Sequence, residues 1–272
     1  MIKRIIPTSG EELPVIGLGT WKSFDVSIDK YPELKNVLKE LHIGGARLIN
    51  SSPMYGKSEQ VIGDITAGID AVDNFFYATK VWTTGLQEGV MQMETSMAKM
   101  KRKKMDLIQI HNLIDWKTHL PQLRRWKEEG KIRYIGITHY TDAYHEELER
   151  IMRAEKPDFV QFNYSIMARN AERRLLDAAA SLGIDTLINR PFGEGSLFAK
   201  VRNKPLPKWA SEYNMKNWST YFLKYIIANP AVTCVIPATA NPQYAHDNVM
   251  AATGNLPDMS VKKKMVDYLH DL

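Results

Sequence analysis

Four side chains stand where an apolar run turns abruptly polar, and their chemistries are complementary. In the stretch from Arg47 to Gly56, a short apolar run ends at Asn50, and Tyr55 follows in a loop closed by Pro53 and Gly56. The run Phe75 to Thr79 ends at Lys80, and Asp106 to Ile110 ends at His111. A phenol, an ammonium and an imidazole can together hold, tune and deliver a proton. Singly, each has a plainer explanation: a strand-end lysine extends its methylenes along the surface to reach water, and a loop tyrosine packs. Three such groups at matching ends of consecutive strands make a shared site the better explanation, because parallel strand ends in a barrel open on one mouth.

The elements that must bring them together follow one repeating unit. Ile2 to Ile6 and Leu13 to Leu18 read as an N-terminal hairpin, with Pro14 keeping the second segment out of a central ladder. Leu34, Val37, Leu38 and Leu41 have helical spacing, and Gly44-Gly45 ends that helix before Leu48-Ile49. Helices are then expected at Val61–Ile65, at Val90–Met100 and at Leu120–Glu129, and around Tyr144–Met152, Leu175–Leu182, Trp218–Ile226 and Tyr244–Ala252. Strands alternate with them at Phe75–Thr79, Asp106–Ile110, Tyr134–Ile137, Phe159–Phe162, Ile184–Ile188 and Val232–Ile236. Gly183 is the expected C-terminal cap of the helix before Ile184. Val261, Met265, Tyr268 and Leu269 mark a final amphipathic helix. Parallel strands need crossover helices, and eight such units in about 250 residues have the size of a (β/α)8 barrel. The expected fold is therefore a TIM barrel with an N-terminal β-hairpin and a C-terminal helix, residues 1–272 forming a single domain. An open doubly wound sheet is the alternative, since alternation alone does not show closure.

Composition narrows the function classes. The chain has 272 residues, 44% hydrophobic and 25% charged, as expected for a globular enzyme. A net charge of +5 suits an anionic small molecule but falls short of a nucleic-acid-binding signature. Cys234 is the single cysteine, which excludes an intrachain disulfide and a thiolate cluster. No apolar run approaches the roughly 18 residues of a membrane span, so neither a membrane nor a nucleic-acid partner is expected. A cytoplasmic location and a monomer or weak oligomer are. Gly56-Lys57-Ser58 imitates the end of a phosphate-binding loop, but Ser51 stands where its first glycine belongs. Gly17-Leu18-Gly19 opens like a dinucleotide fingerprint, yet Lys22 replaces the third glycine. The seven histidines are scattered, so no metal site is expected. Asn217-Trp218-Ser219 reads as a helix start, and Lys101–Lys104 and Lys262–Lys264 as solvated helix positions.

In order and spacing these segments resemble the aldo-keto reductase family, in particular its bacterial-type carbonyl reductases, over nearly the whole chain. Leu18-Gly19-Thr20-Trp21 is similar to the family's first strand end, and Arg47–Glu59 to its Asp-Thr-Ala-x-x-Tyr-Gly-x-Ser-Glu segment. Ala78–Trp82 and Met105–His111 match its lysine and histidine strands, and Gly130–Ile137 resembles its Gly-Lys-x-Arg-x-x-Gly-Val. Gln161–Tyr164 resembles its sixth strand, and Ile236-Pro237 through Asp247-Asn248 its adenosine-binding stretch. The resemblance implies hydride transfer from NADPH, with NADH as the alternative, to the carbonyl of an aldehyde, ketone or 2-oxoester. Tyr55 would be the general acid, Lys80 would lower its pKa, and His111 would orient the carbonyl. The magnitudes permit this: a charge about 4 Å away at an effective dielectric near 20 is worth roughly 4 kcal/mol, or about three pKa units. The implied cofactor contacts are Gly19, Thr20, Trp21, Asn50, Thr138, His139 and Gln161, then Arg190, Pro191, Phe192, Gly193 and Gly195. Near the C-terminus they are Pro237, Ala238, Thr239, Asn241, Gln243, Tyr244, Asp247 and Asn248. Trp21, Trp82, Asn112 and Trp116 would line an apolar substrate mouth.

Three departures stand against that pattern. Asn50 replaces the aspartate that pairs with the lysine, which removes a partner that keeps Lys80 protonated but also leaves its field at Tyr55 less neutralised. Asn189-Arg190-Pro191-Phe192 stands where relatives place an aromatic residue against nicotinamide. Tyr244 and Ala238 occupy positions where NADP-selective relatives carry basic residues, leaving Thr239, Asn241 and Gln243 to hydrogen-bond a 2′-phosphate. Two other functions compete: a barrel enzyme using Lys80 as a Schiff-base nucleophile, and a cofactor-binding regulatory module with weak turnover because of Asn50.

Overall fold

The structure is a computed structural model that describes residues 1–69 and 72–272. A short antiparallel hairpin, β1 (Lys3–Ile5) and β2 (Glu12–Pro14), precedes the main sheet, with Lys3 opposite Pro14 and Ile5 opposite Glu12. The segment expected to run from Leu13 to Leu18 therefore splits, because Pro14 ends the hairpin and the chain must turn into the barrel at β3 (Leu18–Gly19). The remaining strands are β4 (Leu48–Asn50), β5 (Phe76–Val81), β6 (Met105–His111), β7 (Ile132–Thr138), β8 (Phe159–Asn163), β9 (Asp185–Asn189) and β10 (Cys234–Val235). They form one parallel sheet of eight strands in sequence order.

The two ends of this sheet meet. Ile16 bridges Val235 and Gly19 bridges Ala238, both parallel. Gly17 N donates to Val235 O at 2.8 Å, and Gly19 N to Pro237 O at 3.0 Å. A Cβ on Gly19 would lie 2.7 Å from Ile236 O, so the seam needs glycine there. Closure excludes the open doubly wound alternative and leaves a (β/α)8 barrel. The last strand is shorter than its apolar run, Val232 to Ile236, since Pro237 has no N–H to extend the ladder.

Two hydrophobic layers result. Inside the barrel, side chains contributed strand by strand (Leu48, Phe76, Ala78, Leu107, Tyr134, Phe159, Leu187 and Cys234) pack together, and Ile6 and Leu13 from the hairpin plug the bottom. Arg133 and Tyr134 hold the hairpin there through Glu11. Outside, the helices cover the strands: α1 (Tyr31–Ile43), α2 (Ser58–Thr66), α3 (Leu86–Lys99), α4 (Trp116–Glu128), α5 (His145–Glu155), α6 (Leu175–Leu182), α7 (Ser196–Lys200), α8 (Trp218–Ile227), α9 (Pro242–Met250) and α10 (Met259–His270). Gly183 caps α6 in the left-handed conformation, and Asn217 caps α8 through a capping box. Lys101 and Arg102, just past α3, pair with Asp64 and Asp73, each at 2.7 Å.

One surface assignment is corrected. Lys262 does not share the exposed face of α10; it is buried, with its ammonium 3.3 Å from Tyr164 Oη and 4.5 Å above the Tyr225 ring. Glu172 accepts from Tyr164 and Tyr225 and faces the same ammonium at 3.5 Å, which ties the last helix to the loop after β8. Three consecutive lysines look alike in sequence, but helical rotation turns one of them inward. Among the described residues, no helix is long and apolar enough to cross a membrane.

Candidate active site

The strand registers put the polar residues at one rim. Asn50 ends β4 beside β5, Lys80 pairs across with Gln109 of β6, and His111 lies opposite Thr138 of β7. Lys80 is fully buried, and its ammonium donates to Ser51 O at 2.7 Å and Asn50 Oδ1 at 3.2 Å. Neither acceptor carries a charge. Burial accordingly lowers the Lys80 pKa to about 7, with the Glu59 carboxylate pulling in the opposite direction. Glu59 is itself held by the Thr79 and Ser96 hydroxyls.

Asn50 Oδ1 also accepts from Gln109 Nε2 at 3.2 Å, and the same Gln109 amide donates to Gln161 Oε1 at 3.0 Å. A hydrogen-bonded row thus crosses the barrel from Lys80 to Gln161. Sequence reasoning missed Gln109, although its polar side chain interrupts an otherwise apolar strand.

Tyr55 sits in the loop after β4, its ring edge-on to His111 with centroids 5.8 Å apart. The Lys80 ammonium lies 5.1 Å from the Tyr55 ring centroid. Burial pushes the phenol above its ordinary pKa, and the Arg190 guanidinium opposes that. The Lys80 ammonium directs its hydrogen bonds to Asn50 and Ser51, so it acts on the phenol as a charge near its ring. His111 Nδ1 lies 2.9 Å from Ser52 Oγ. Burial, then the Lys80 and His139 charges, drive its pKa far below the imidazole range, so the ring is neutral.

Asn50, Tyr55 and His111 open on a cleft of about 510 Å³, and Lys80 is buried behind them. Of the expected cofactor contacts, Gly19, Thr20, Trp21, Asn50, Thr138, Gln161, Arg190, Pro191, Phe192, Gly195 and Ala238 line it. His139, Gly193, Pro237, Thr239, Asn241, Gln243, Tyr244, Asp247 and Asn248 do not. Asn241 is engaged as the N-cap of α9, accepting from Gln243 N and Tyr244 N. His139 is covered by Tyr144, with ring centroids 3.6 Å apart. Of the expected substrate residues, Trp21 and Asn112 line the cleft and Trp82 flanks His111 at 6.5 Å between rings. Trp116 stands apart: it begins α4 with the Arg150 guanidinium 5.9 Å from its ring.

The cleft has further walls outside the implied contacts: Lys22, Met54, Tyr140, Asn189, Glu194, Phe198 and Ile236. Several were adjacent to residues singled out, which is the signal that could have found them. Arg190 and Glu194 form an ion pair at 2.8 Å, and Arg190 lies 4.3 Å from the Tyr140 ring. Lys22, Asn112, Arg190 and Glu194 all have left-handed φ (63°, 54°, 52° and 56°). Non-glycine residues in that region cluster at functional rims, where the surrounding structure holds them.

A closed parallel barrel thus brings a phenol and a neutral imidazole to one cleft, with a buried amine behind them. The sequence profile of the Aldo/keto reductase family matches residues 15–265, and the chain belongs to that family. It is 27% identical to a glyoxal reductase of Bacillus subtilis over 231 residues, covering 83% of this chain and 79% of that protein. It is 24% identical to an NADH-specific methylglyoxal reductase of Escherichia coli over 316 aligned positions, covering 95% of each. An aldo/keto reductase of Klebsiella pneumoniae solved with NADP and acetate superposes with a TM-score of 0.81 at 20% identity, covering 99% of this chain and 95% of that one.

Proposed function

We propose that the chain reduces the carbonyl of an aldehyde, ketone or 2-oxoester to an alcohol, with NADPH as reductant and Tyr55 as general acid. The observation that carries this reading is the meeting of Tyr55 and His111 in the wall of the 510 Å³ cleft, with the Lys80 ammonium buried behind them 5.1 Å from the Tyr55 ring. The residues present fit a nicotinamide dinucleotide. Asn189 Oδ1 is buried in the cleft wall without a partner among the described residues, an acceptor suited to a carboxamide N–H. Gly195 has φ +95 with nothing within 4 Å of where a Cβ would stand, so bare backbone faces open space that a phosphate group can approach. When bound, NADPH supplies the hydride that adds to the carbonyl carbon.

The chain's own residues handle the oxygen. Neutral His111 hydrogen-bonds the carbonyl oxygen and fixes its direction. As the carbon–oxygen π bond opens, the Tyr55 hydroxyl gives its proton to that oxygen, and solvent returns a proton to the phenolate. Lys80 in its charged form stabilises the negative charge left on Tyr55. Trp21, Met54 and Phe198 exclude water from the apolar part of the cleft.

A second reading, a cofactor-binding module with weak turnover, is favoured by one observation: Lys80 lacks a carboxylate partner at Asn50 and titrates near 7. One experiment separates the two. NADPH oxidation is followed with glyoxal, methylglyoxal, other aldehydes, ketones and 2-oxoesters, and NADPH binding by fluorescence, for wild type and Tyr55→Phe. Turnover that falls about 10²- to 10⁴-fold in the variant while binding persists supports the general acid. Tight binding with no turnover by wild type on any carbonyl supports the module. Turnover unaffected by Tyr55→Phe refutes the assignment of Tyr55.

A further inference from the structure

We propose that Ser52 is a positioning residue that sets the tautomer of His111, holding Nδ1 as an acceptor so that the ring proton sits on Nε2. The proposal rests on the reading of His111 as the group that meets the substrate carbonyl. The tautomer itself follows from local hydrogen bonding. Ser52 Oγ is fully buried, 2.9 Å from His111 Nδ1, and it accepts from Met54 N at 3.2 Å. A hydroxyl has one proton to donate and two lone pairs.

Two arrangements are possible for a neutral ring. If Nδ1 carries the proton, Ser52 Oγ accepts from both Nδ1 and Met54 N, and its own buried proton has no acceptor among the described residues. If Nδ1 is bare, Ser52 donates to it, Met54 N donates to Ser52, and the Ser52 hydroxyl is satisfied. An unsatisfied buried donor disfavours the first arrangement about 5- to 150-fold. The imidazolium, with both nitrogens protonated, is opposed by burial, by the Lys80 ammonium from β5 and by His139 just past β7. Tyr55, also against the ring, is neutral and does not offset them. The second arrangement leaves an Nε2–H, a donor rather than an acceptor, as the ring's free group. A carbonyl oxygen needs a donor. The same ring in the other tautomer would present a lone pair to the substrate oxygen and repel it.

The position carrying this control lies inside the Tyr55 loop, so one segment supplies both the proton donor and the setting of its neighbour. Tyr55 N donates to Ser52 O at 3.0 Å, which fixes the spacing between them.

The test uses the full chain labelled with nitrogen-15 in histidine. Long-range proton–nitrogen spectra report which ring nitrogen of His111 is protonated, with the His111→Gln variant identifying the signals. Wild type is expected to show an unprotonated Nδ1 and a protonated Nε2. Ser52→Ala should move the population toward the other tautomer by at least fivefold, and Ser52→Thr, which keeps the hydroxyl, should restore it. In turnover, kcat of Ser52→Ala should fall about tenfold with KM for the cofactor within twofold, and Ser52→Thr should recover it. A wild-type spectrum with protonated Nδ1, or a Ser52→Ala spectrum identical to wild type, overturns the proposal. Loss of the tautomer preference without any carbonyl turnover by wild type upholds the tautomer assignment and refutes the reductase reading instead.

Discussion

Restoring a carboxylate at position 50 should reshape the pH dependence of turnover rather than simply raise it. In wild type, Lys80 donates to the neutral oxygens of Asn50 and Ser51 and titrates near 7. In Asn50→Asp a negative charge would stand where Asn50 Oδ1 is now, 3.2 Å from the ammonium. At an effective dielectric near 20 that separation gives roughly 5 kcal/mol of attraction. Asn50 is 2% exposed, so burying a carboxylate there costs much of it. A net gain of roughly 1–3 kcal/mol raises the Lys80 pKa by about one to two units. Below pH 7 wild-type Lys80 is already charged and no carboxylate cancels its field at Tyr55, so the variant is no faster there. As pH rises through about 7, wild-type Lys80 loses its proton while the variant keeps it. The ratio of variant to wild-type kcat should therefore climb by roughly tenfold or more between about pH 6 and about pH 9. Steady-state NADPH oxidation with one saturating carbonyl compound, read across that range, measures it. A ratio constant within about twofold, or one that falls with pH, refutes the argument that Lys80's charge state governs proton delivery.

The remaining predictions concern the same amine, the phenol and a buried carboxylate. Lys80→Met should abolish turnover yet stabilise the protein at pH 6: the folded pKa lies below the unfolded value, so the cost of the buried charge is present below about 7 and fades as pH rises toward the unfolded pKa. Offset by two acceptors left unpaired, the gain should be about 1–3 kcal/mol, and calorimetry that finds destabilisation at pH 6 would count against a charged buried Lys80. Tyr55→Phe should cost about 10²- to 10⁴-fold in kcat with NADPH binding retained, which single-turnover kinetics and fluorescence titration together resolve. Asp185 is buried at the barrel bottom with Oδ1 accepting from Thr233 and Oδ2 without a partner among the described residues, and burial raises its pKa to about 7. Its folded pKa exceeds the unfolded one, so its contribution is fully present at low pH and is lost between about 4 and about 7. Asp185→Asn should flatten stability over that window, whereas denaturation midpoints that track wild type at every pH would show that Asp185 does not titrate there.

The alternation of eight apolar runs with eight helical periods, and the polar residues that end those runs, were legible because both are local properties of the chain. Hydrophobic spacing fixes which face of each element is buried, and a buried strand shows where it stops by its first polar residue. Those first polar residues are what group Asn50, Lys80 and His111 with Tyr55 in the sequence; in the fold β5 runs one residue past Lys80, whose ammonium is buried behind the cleft. The Lys80 pKa lies on the side that the resemblance implied from the missing carboxylate at Asn50, although burial is what lowers it.

Other features depend on contacts between distant positions or on which way a side chain turns, and these only the tertiary structure decided. Barrel closure rests on bridges from Ile16 and Gly19 to Val235 and Ala238, more than two hundred residues away. Lys262 looked like its neighbours and is buried against Tyr164 and Glu172, while Trp116 looked like a mouth residue and packs under Arg150 instead. Asn241, a candidate phosphate ligand, spends its oxygen on the first turn of α9. The hydrogen bonds from Gln109 to Asn50 and from Ser52 to His111 join residues 59 positions apart in both cases. Sequence spacing specifies a strand end, but the direction of a hydroxyl or an amide within it is set by the partner the fold brings near.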